Sequence, residues 1–164
     1  MRRLAGAGGG VGKTVFIRAA AVANWQGGAL NRDAMDAHFS FEIDRPRGLV
    51  RIAMSGLFHP ADVERFRIGR AEAHAALGWA LNDHVSLNDV RGMKIQPQET
   101  VVAFHEVLAD PVFRSRRLAF VVAPTLARSQ LTRALAGRES GRWFDSVHKA
   151  EAWLFSEAEA SRAA

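Results

Sequence analysis

Hydrophobic and polar positions begin to alternate at Phe39. Phe39, Phe41 and Ile43 are separated by Ser40, Glu42 and Asp44, and Val50, Ile52 and Met54 by Arg51 and Ala53. Side chains two apart share one face of a strand, so each run predicts a half-buried strand. Arg45-Pro46-Arg47-Gly48 lies between them with proline at its second position and predicts the turn of an antiparallel hairpin. Pro60 predicts a helix start, and Asp62 sits in the first turn beside the positive end of the dipole. Val63, Phe66, Ala73 and Leu77 mark the buried side of that helix, and Gly78 ends it. Trp79 and Leu81 fall in the loop that follows.

Val85 and Leu87 alternate with Ser86 and Asn88, which predicts another half-buried strand. Asp89-Val90-Arg91-Gly92 has the residues of a type I turn. Pro97 is placed as a first helical residue, and Val101, Phe104 and Leu108 form one apolar stripe after it. Asp110-Pro111 breaks this helix. Leu118 to Val122 is a continuous apolar run, the mark of a strand buried on both faces. Pro124 to Ala136 predicts a helix with Leu131 and Leu135 inward. Arg142 to Phe144 predicts a short strand. Asp145 or Ser146 caps a last helix that buries Val147, Ala150 and Leu154. A hairpin followed by alternating helices and strands implies an α/β fold with a single mixed sheet, its later strands parallel.

Residues 1–34 read differently. Gly, Ala and Arg dominate, without a strand pattern, and the segment is expected to be a poorly ordered or non-native extension ahead of a domain at 35–164. It contains one sharp motif. Ala7 to Thr14 matches the phosphate-binding loop pattern, in which Gly12 and the backbone would cradle phosphates, Lys13 would reach the outer ones and Thr14 would hold Mg²⁺. That loop must join a buried strand to a helix. The six residues before Ala7 do not read as a strand, and a helix from Val15 to Trp25 would be cut short by Gly27-Gly28. Arg2 and Arg3 followed by Val15 to Ala23 give an export-signal reading, interrupted by Arg18.

Composition narrows the function classes. The chain has 164 residues, 48% of them hydrophobic, enough for a packed core. It has no cysteine, which excludes disulfides and thiolate metal sites and fits a cytoplasmic location. No apolar run reaches the ~18 residues that span a bilayer. The net charge of +5 hints at nucleic acid, but residues 1–35 hold five basic residues against one acidic, and the remaining 17 basic and 16 acidic residues nearly cancel. Nucleic acid is therefore not an expected partner.

Candidate chemistry is sparse. The six histidines show no H-x-H or H-x-x-x-H spacing, so no metal site is expected. No G-x-S-x-G elbow is present, and no catalytic residue or cofactor is assigned. Arg65, Arg67 and Arg70, and Arg114, Arg116 and Arg117, read as ion-paired surface. Asp89, Arg91, Lys94, Gln96 and Gln98 lie between the carboxyl end of a strand and a helix N-terminus, the usual ligand crevice of open α/β sheets. Against this, Asp89 can close its own turn by an Asx hydrogen bond.

From about Phe39 to Phe155 the chain resembles the SpoIIAA-like family, relatives of STAS domains that are also compared with the lipid-binding SEC14-like fold. The resemblance is carried by Gly48 to Ile52, Gly56-Leu57-Phe58-His59-Pro60-Ala61-Asp62-Val63, Asp89 to Gly92, Ala109 to Arg114, and Trp143 to Ser146 before Ala152-Trp153-Leu154. It implies a non-enzymatic, regulatory bacterial domain that binds a protein partner or a small anionic or lipidic ligand near residues 89–98. A homodimer is also expected, since small α/β domains leave edges uncovered. STAS antagonists of anti-sigma factors are phosphorylated on the first serine of an Asp-Ser-Ser-Gly segment. Pro97 to Thr100 falls over that segment here, and Gln98 replaces the serine, so a kinase-operated switch is not implied. Thr100, in the first helical turn, is the remaining phosphorylatable neighbour.

Overall fold

A computed structural model describes residues 15–19, 36–123 and 140–162. Its centre is the expected hairpin, strands β2 (His38–Asp44) and β3 (Leu49–Gly56), antiparallel with Phe41 opposite Ile52. The alternation works as read: Phe39, Phe41, Ile43, Val50, Ile52 and Met54 are all buried. Gly48 closes the turn at φ +61°, where a Cβ would also strike the Trp79 ring. The Trp79 indole donates from Nε1 to Arg45 O at 2.9 Å. Trp79 is thereby folded back onto the hairpin, although it and Leu81 both remain exposed.

Helix α1 (Pro60–Leu77) follows, with Pro60 as its first residue. Asp62 accepts a hydrogen bond from His59 N at 2.8 Å, and Gly78 ends the helix in the left-handed region at φ 70°. Strand β4 (Val85–Met93), helix α2 (Gln98–Ala109), strand β5 (Arg117–Val121), strand β6 (Gly141–Phe144) and helix α3 (Val147–Arg162) complete the described elements. Ser146 Oγ accepts the Lys149 N–H at 3.3 Å, which settles the cap of α3 on Ser146. The expected helix from Pro124 to Ala136 lies outside the described residues.

The sheet has six strands in the order β1-β2-β3-β4-β5-β6. Pairing is antiparallel across the first three and parallel from β3 to β6, which gives the expected α/β fold with a single mixed sheet. Because strand order always advances in one direction, crossovers of one hand put successive helices on one face. Helices α1 and α2 share that face with Phe39, Phe41, Ile52 and Met54. Helix α3 packs on the other, through Ala150 and Leu154 against Leu49, Val85, Leu87, Ala119 and Val121. Arg51 fastens it, donating from Nε to Glu151 at 2.9 Å and from Nη1 to Glu42 at 2.9 Å.

Three expectations are corrected. Val15–Ala19, expected to lack a strand pattern, is strand β1, antiparallel to β2 at the sheet edge. The 89–92 turn is instead the end of β4. There the register against β3 slips, Ala53 facing Asp89 but Ser55 facing Gly92, so the extra length is absorbed as a bulge. Finally, β4 is not half-buried: Ser86 and Asn88 are 3% and 7% exposed, as enclosed as Val85 and Leu87 on the opposite face.

Candidate functional site

Ser86 and Asn88 open onto a cavity of about 150 Å³ between the sheet and helices α1 and α2. Its walls are mainly apolar. Ile52 and Met54 come from β3, Leu118 and Phe120 from β5, Phe66 from α1, and Val101, Phe104 and Leu108 from α2. The space explains why the stripe expected to be the buried side of α2 is only half-buried, while Thr100 and Val107 are buried. The stripe lines a hollow rather than filling a core. Lys94 and His105 stand at the rim, both exposed.

One wall is polar and continuous. His74, in the last turn of α1, places Nδ1 2.7 Å from Arg70 O. A carbonyl only accepts, so Nδ1 carries the proton and Nε2 is bare. His84, just before β4, lies 2.8 Å away Nε2 to Nε2 and must donate. Its Nε2 also lies 3.2 Å from Ser115 Oγ, which accepts a share of the same proton. Ser115 then donates to Ser86 Oγ at 2.7 Å. Burial, with help from the neighbouring His74 and Arg70, pushes the His84 pKa down to about 4. Burial and Arg70 also lower that of His74. Both rings are therefore neutral near pH 7.

Arg70 supplies the buried charge. It donates to Val107 O and to Asp110 Oδ2, each at 2.8 Å, and lies over the Phe113 ring at 4.7 Å. Burial lowers its pKa, partly offset by Asp110. Its Nε is buried without a partner. Asn88, 7% exposed as a residue, makes no hydrogen bond to another described residue; among fully enclosed side-chain polar atoms of the described residues only Arg70 Nε lacks a partner, so the Asn88 amide meets the open space of the cavity.

No family model, curated protein or solved structure matches this chain. The site must therefore be read from its own geometry.

The five residues expected to share one crevice do not converge. Asp89 and Arg91 lie together beside Ala53, Ser55 and Gly92 in a shallow depression. There they form a closed fork, Arg91 Nε and Nη2 donating to Asp89 at 2.9 and 2.7 Å. The hydrogen bonds from Arg91 hold the Asp89 carboxyl below its usual range. The expected Asx contact exists as well, Arg91 N to Asp89 Oδ1 at 3.2 Å. Gln96 is buried in a structural bracket: Oε1 accepts Phe58 N at 2.8 Å, while Nε2 donates to Gly56 O at 3.1 Å and Lys94 O at 2.6 Å. Lys94 reaches only the cavity rim, and Gln98 is the exposed first residue of α2. Thr100 is fully buried, its hydroxyl donating to Phe58 O at 2.8 Å, which removes it as an accessible phosphorylation site.

Gly12, Lys13 and Thr14 lie outside the described residues. The residue after Thr14 begins strand β1, where a phosphate-binding loop needs the N-terminus of a helix. The histidines, read as isolated, include a direct pair. Ten residues separate His74 from His84, so no local spacing could reveal them. The usable signal was Ser86 and Asn88 in a strand with more apolar neighbours than a solvent-facing edge requires. Among the described residues no cluster of three or more His, Cys, Asp or Glu could hold a metal ion, and no helix is long and apolar enough to cross a membrane. In the first arginine cluster, Arg65 pairs with Asp62 and Arg67 with Glu106.

Proposed function

We propose that this chain is a non-enzymatic, regulatory binding domain of SpoIIAA-like type whose internal cavity receives a small lipidic molecule. The observation that carries the reading is the apolar hollow of about 150 Å³ on the α1/α2 face, with the unpaired Asn88 amide on its wall. Close-packed interiors hold few voids larger than a water molecule. A dry cavity of about this volume accepts a ring-sized apolar guest. The hairpin followed by sequential parallel β-α units supports the family reading. Within the 89–98 segment Asp89 and Arg91 already satisfy each other, while Val90, Met93, Lys94 and Gln96 line the cavity, which supports a ligand site inside the sheet face.

Binding to the folded state alone raises stability by mass action. Benzene at millimolar concentration is expected to raise the unfolding midpoint of the protein. Val90→Phe, which puts a ring into the cavity, is expected to remove that rise. A midpoint indifferent to benzene in the unaltered protein would sink the reading.

A further inference from the structure

The hydrogen-bond directions along the polar wall fix what the cavity can offer a guest. His74 donates from Nδ1 to Arg70 O, so its Nε2 accepts from His84. His84 Nε2–H is thereby committed, and Ser115 Oγ accepts its remaining share at 3.2 Å. The Ser115 proton goes to Ser86 Oγ at 2.7 Å. Every proton in this relay is assigned except the last. The Ser86 hydroxyl accepts from Ser115 and keeps its own O–H free among the described residues, on the side chain that faces the cavity.

Two residues further along the same strand face, Asn88 presents an unpaired amide, with both a donor and an acceptor, to the same space. Neither group carries charge. Of the cations that line the cavity, Arg70 is matched by Asp110 at 2.8 Å and Lys94 stands exposed at the rim. A carboxylate entering here would lose its water for two neutral donors and apolar walls, which is costly. An uncharged acceptor needs no more than those two donors.

We propose that the guest is a small, uncharged, mainly apolar molecule bearing one carbonyl-type acceptor, held by the Ser86 hydroxyl and the Asn88 amide. This rests on the cavity reading above and narrows its lipidic ligand to a neutral one. The histidine pair acts as a positioning device that keeps the Ser86 proton pointing into the hollow.

The test uses three ring-sized probes of nearly one shape, benzamide, benzoate and toluene, with dissociation constants from amide NMR titration at pH 7. Toluene reports the hollow alone. The ratio of benzamide to toluene affinity reports the polar wall, since loss or gain of space acts on both. Ser86→Ala and Asn88→Ala are each expected to lower that ratio about five- to tenfold, the worth of one hydrogen bond made away from water. Benzoate is expected to bind more weakly than benzamide. Should Ser86→Ala fail to fold, Asn88→Ala alone decides the ratio. An unchanged ratio overturns the two-residue assignment while toluene binding leaves the cavity reading standing. Benzoate binding more tightly than benzamide overturns the neutral class. If neither toluene nor benzamide binds, the cavity reading falls and this inference with it.

Discussion

His74 and His84 meet Nε2 to Nε2 at 2.8 Å, their rings edge to face with centroids 4.3 Å apart. The contact joins the last turn of α1 to the entry of β4, and Phe113 packs on the first ring at 4.9 Å. The contact holds while His74 Nε2 is bare and accepts the His84 Nε2 proton. A proton on that nitrogen would set two N–H groups against each other and place an imidazolium beside Arg70.

That arrangement predicts acid lability. His84 titrates near 4 in the folded protein because burial, His74 and Arg70 all disfavour its charge; an unfolded histidine titrates near ~6.5. Between those values the unfolded chain binds more protons, so stability rises with pH there. The full contribution is present above about pH 6.5 and is lost as pH falls toward 4, at no more than ~1.4 kcal/mol per pH unit for one histidine. Among the described residues Asp110 pairs with Arg70, and it favours the charged form of His74. Urea unfolding at pH 7, 5.5 and 4.5 is expected to show the decline, and His84→Leu to flatten it. An equally steep decline in His84→Leu would assign the lability elsewhere.

Arg70 and Asp110 make a sharper contrast. The Arg70 side chain is 9% exposed and that of Asp110 is 27% exposed. Neutralising the acid leaves a buried cation without a counter-charge among the described residues, a change costing about 1–3 kcal/mol. Removing the guanidinium with Arg70→Met keeps the stem that packs beside Phe113 and leaves the acid able to reach water. Asp110→Asn is therefore expected to destabilise more than Arg70→Met. Denaturant midpoints of the two variants decide it, and the reverse order would show that the arginine itself, not its pairing, holds the α1/α2 contact.

Gly92 is required by contact rather than by backbone angle. A Cβ there would lie 2.7 Å from the Ser55 Cβ, where the bulge brings β4 against β3. Overpacking of this kind costs roughly 1–3 kcal/mol. Gly92→Ala should lose that much stability, and adding Ser55→Gly should restore part of it. A double variant no better than the single one would place the cost in the bulge backbone instead.

The succession of elements from β2 onward and most helix limits were legible because they rest on local patterns: the alternation of Phe39 to Ile43, Pro60 and Gly78 around α1, and the unbroken run at Leu118. Strand β1 was not, because Val15 to Ala19 is five residues amid Gly and Ala and takes its conformation from pairing with β2. The bulge was misread for a physical reason as well. Asp-x-x-Gly favours the same local Asx contact in a turn as in a kinked strand, and only the neighbouring strand tells them apart. Gln96 and Thr100 looked available in the sequence, yet tertiary folding buries both to satisfy Gly56 and Phe58 backbone groups. The cavity wall was hidden most deeply, since Ser86, Asn88, Ser115, His74 and His84 come from three separate stretches of chain.

Asn88 offers a test that needs no ligand. The Asn88 amide meets the cavity and gains nothing from protein partners, whereas an apolar side chain of similar shape would pack against the apolar walls. Leucine would also put methyl groups into the hollow that Ile52, Phe104 and Phe120 leave between them. Asn88→Leu is therefore expected to stabilise the fold by about 1–2 kcal/mol, read as a higher urea midpoint with an unchanged slope. A core position improved by removing its native residue is the usual mark of a side chain kept for binding rather than for folding. Ile52→Asn, which puts the same amide on β3 beside Asn88, should instead destabilise, as a buried polar group added to an apolar position does. If Asn88→Leu lowers the midpoint, the amide is satisfied in solution and the cavity wall is structural.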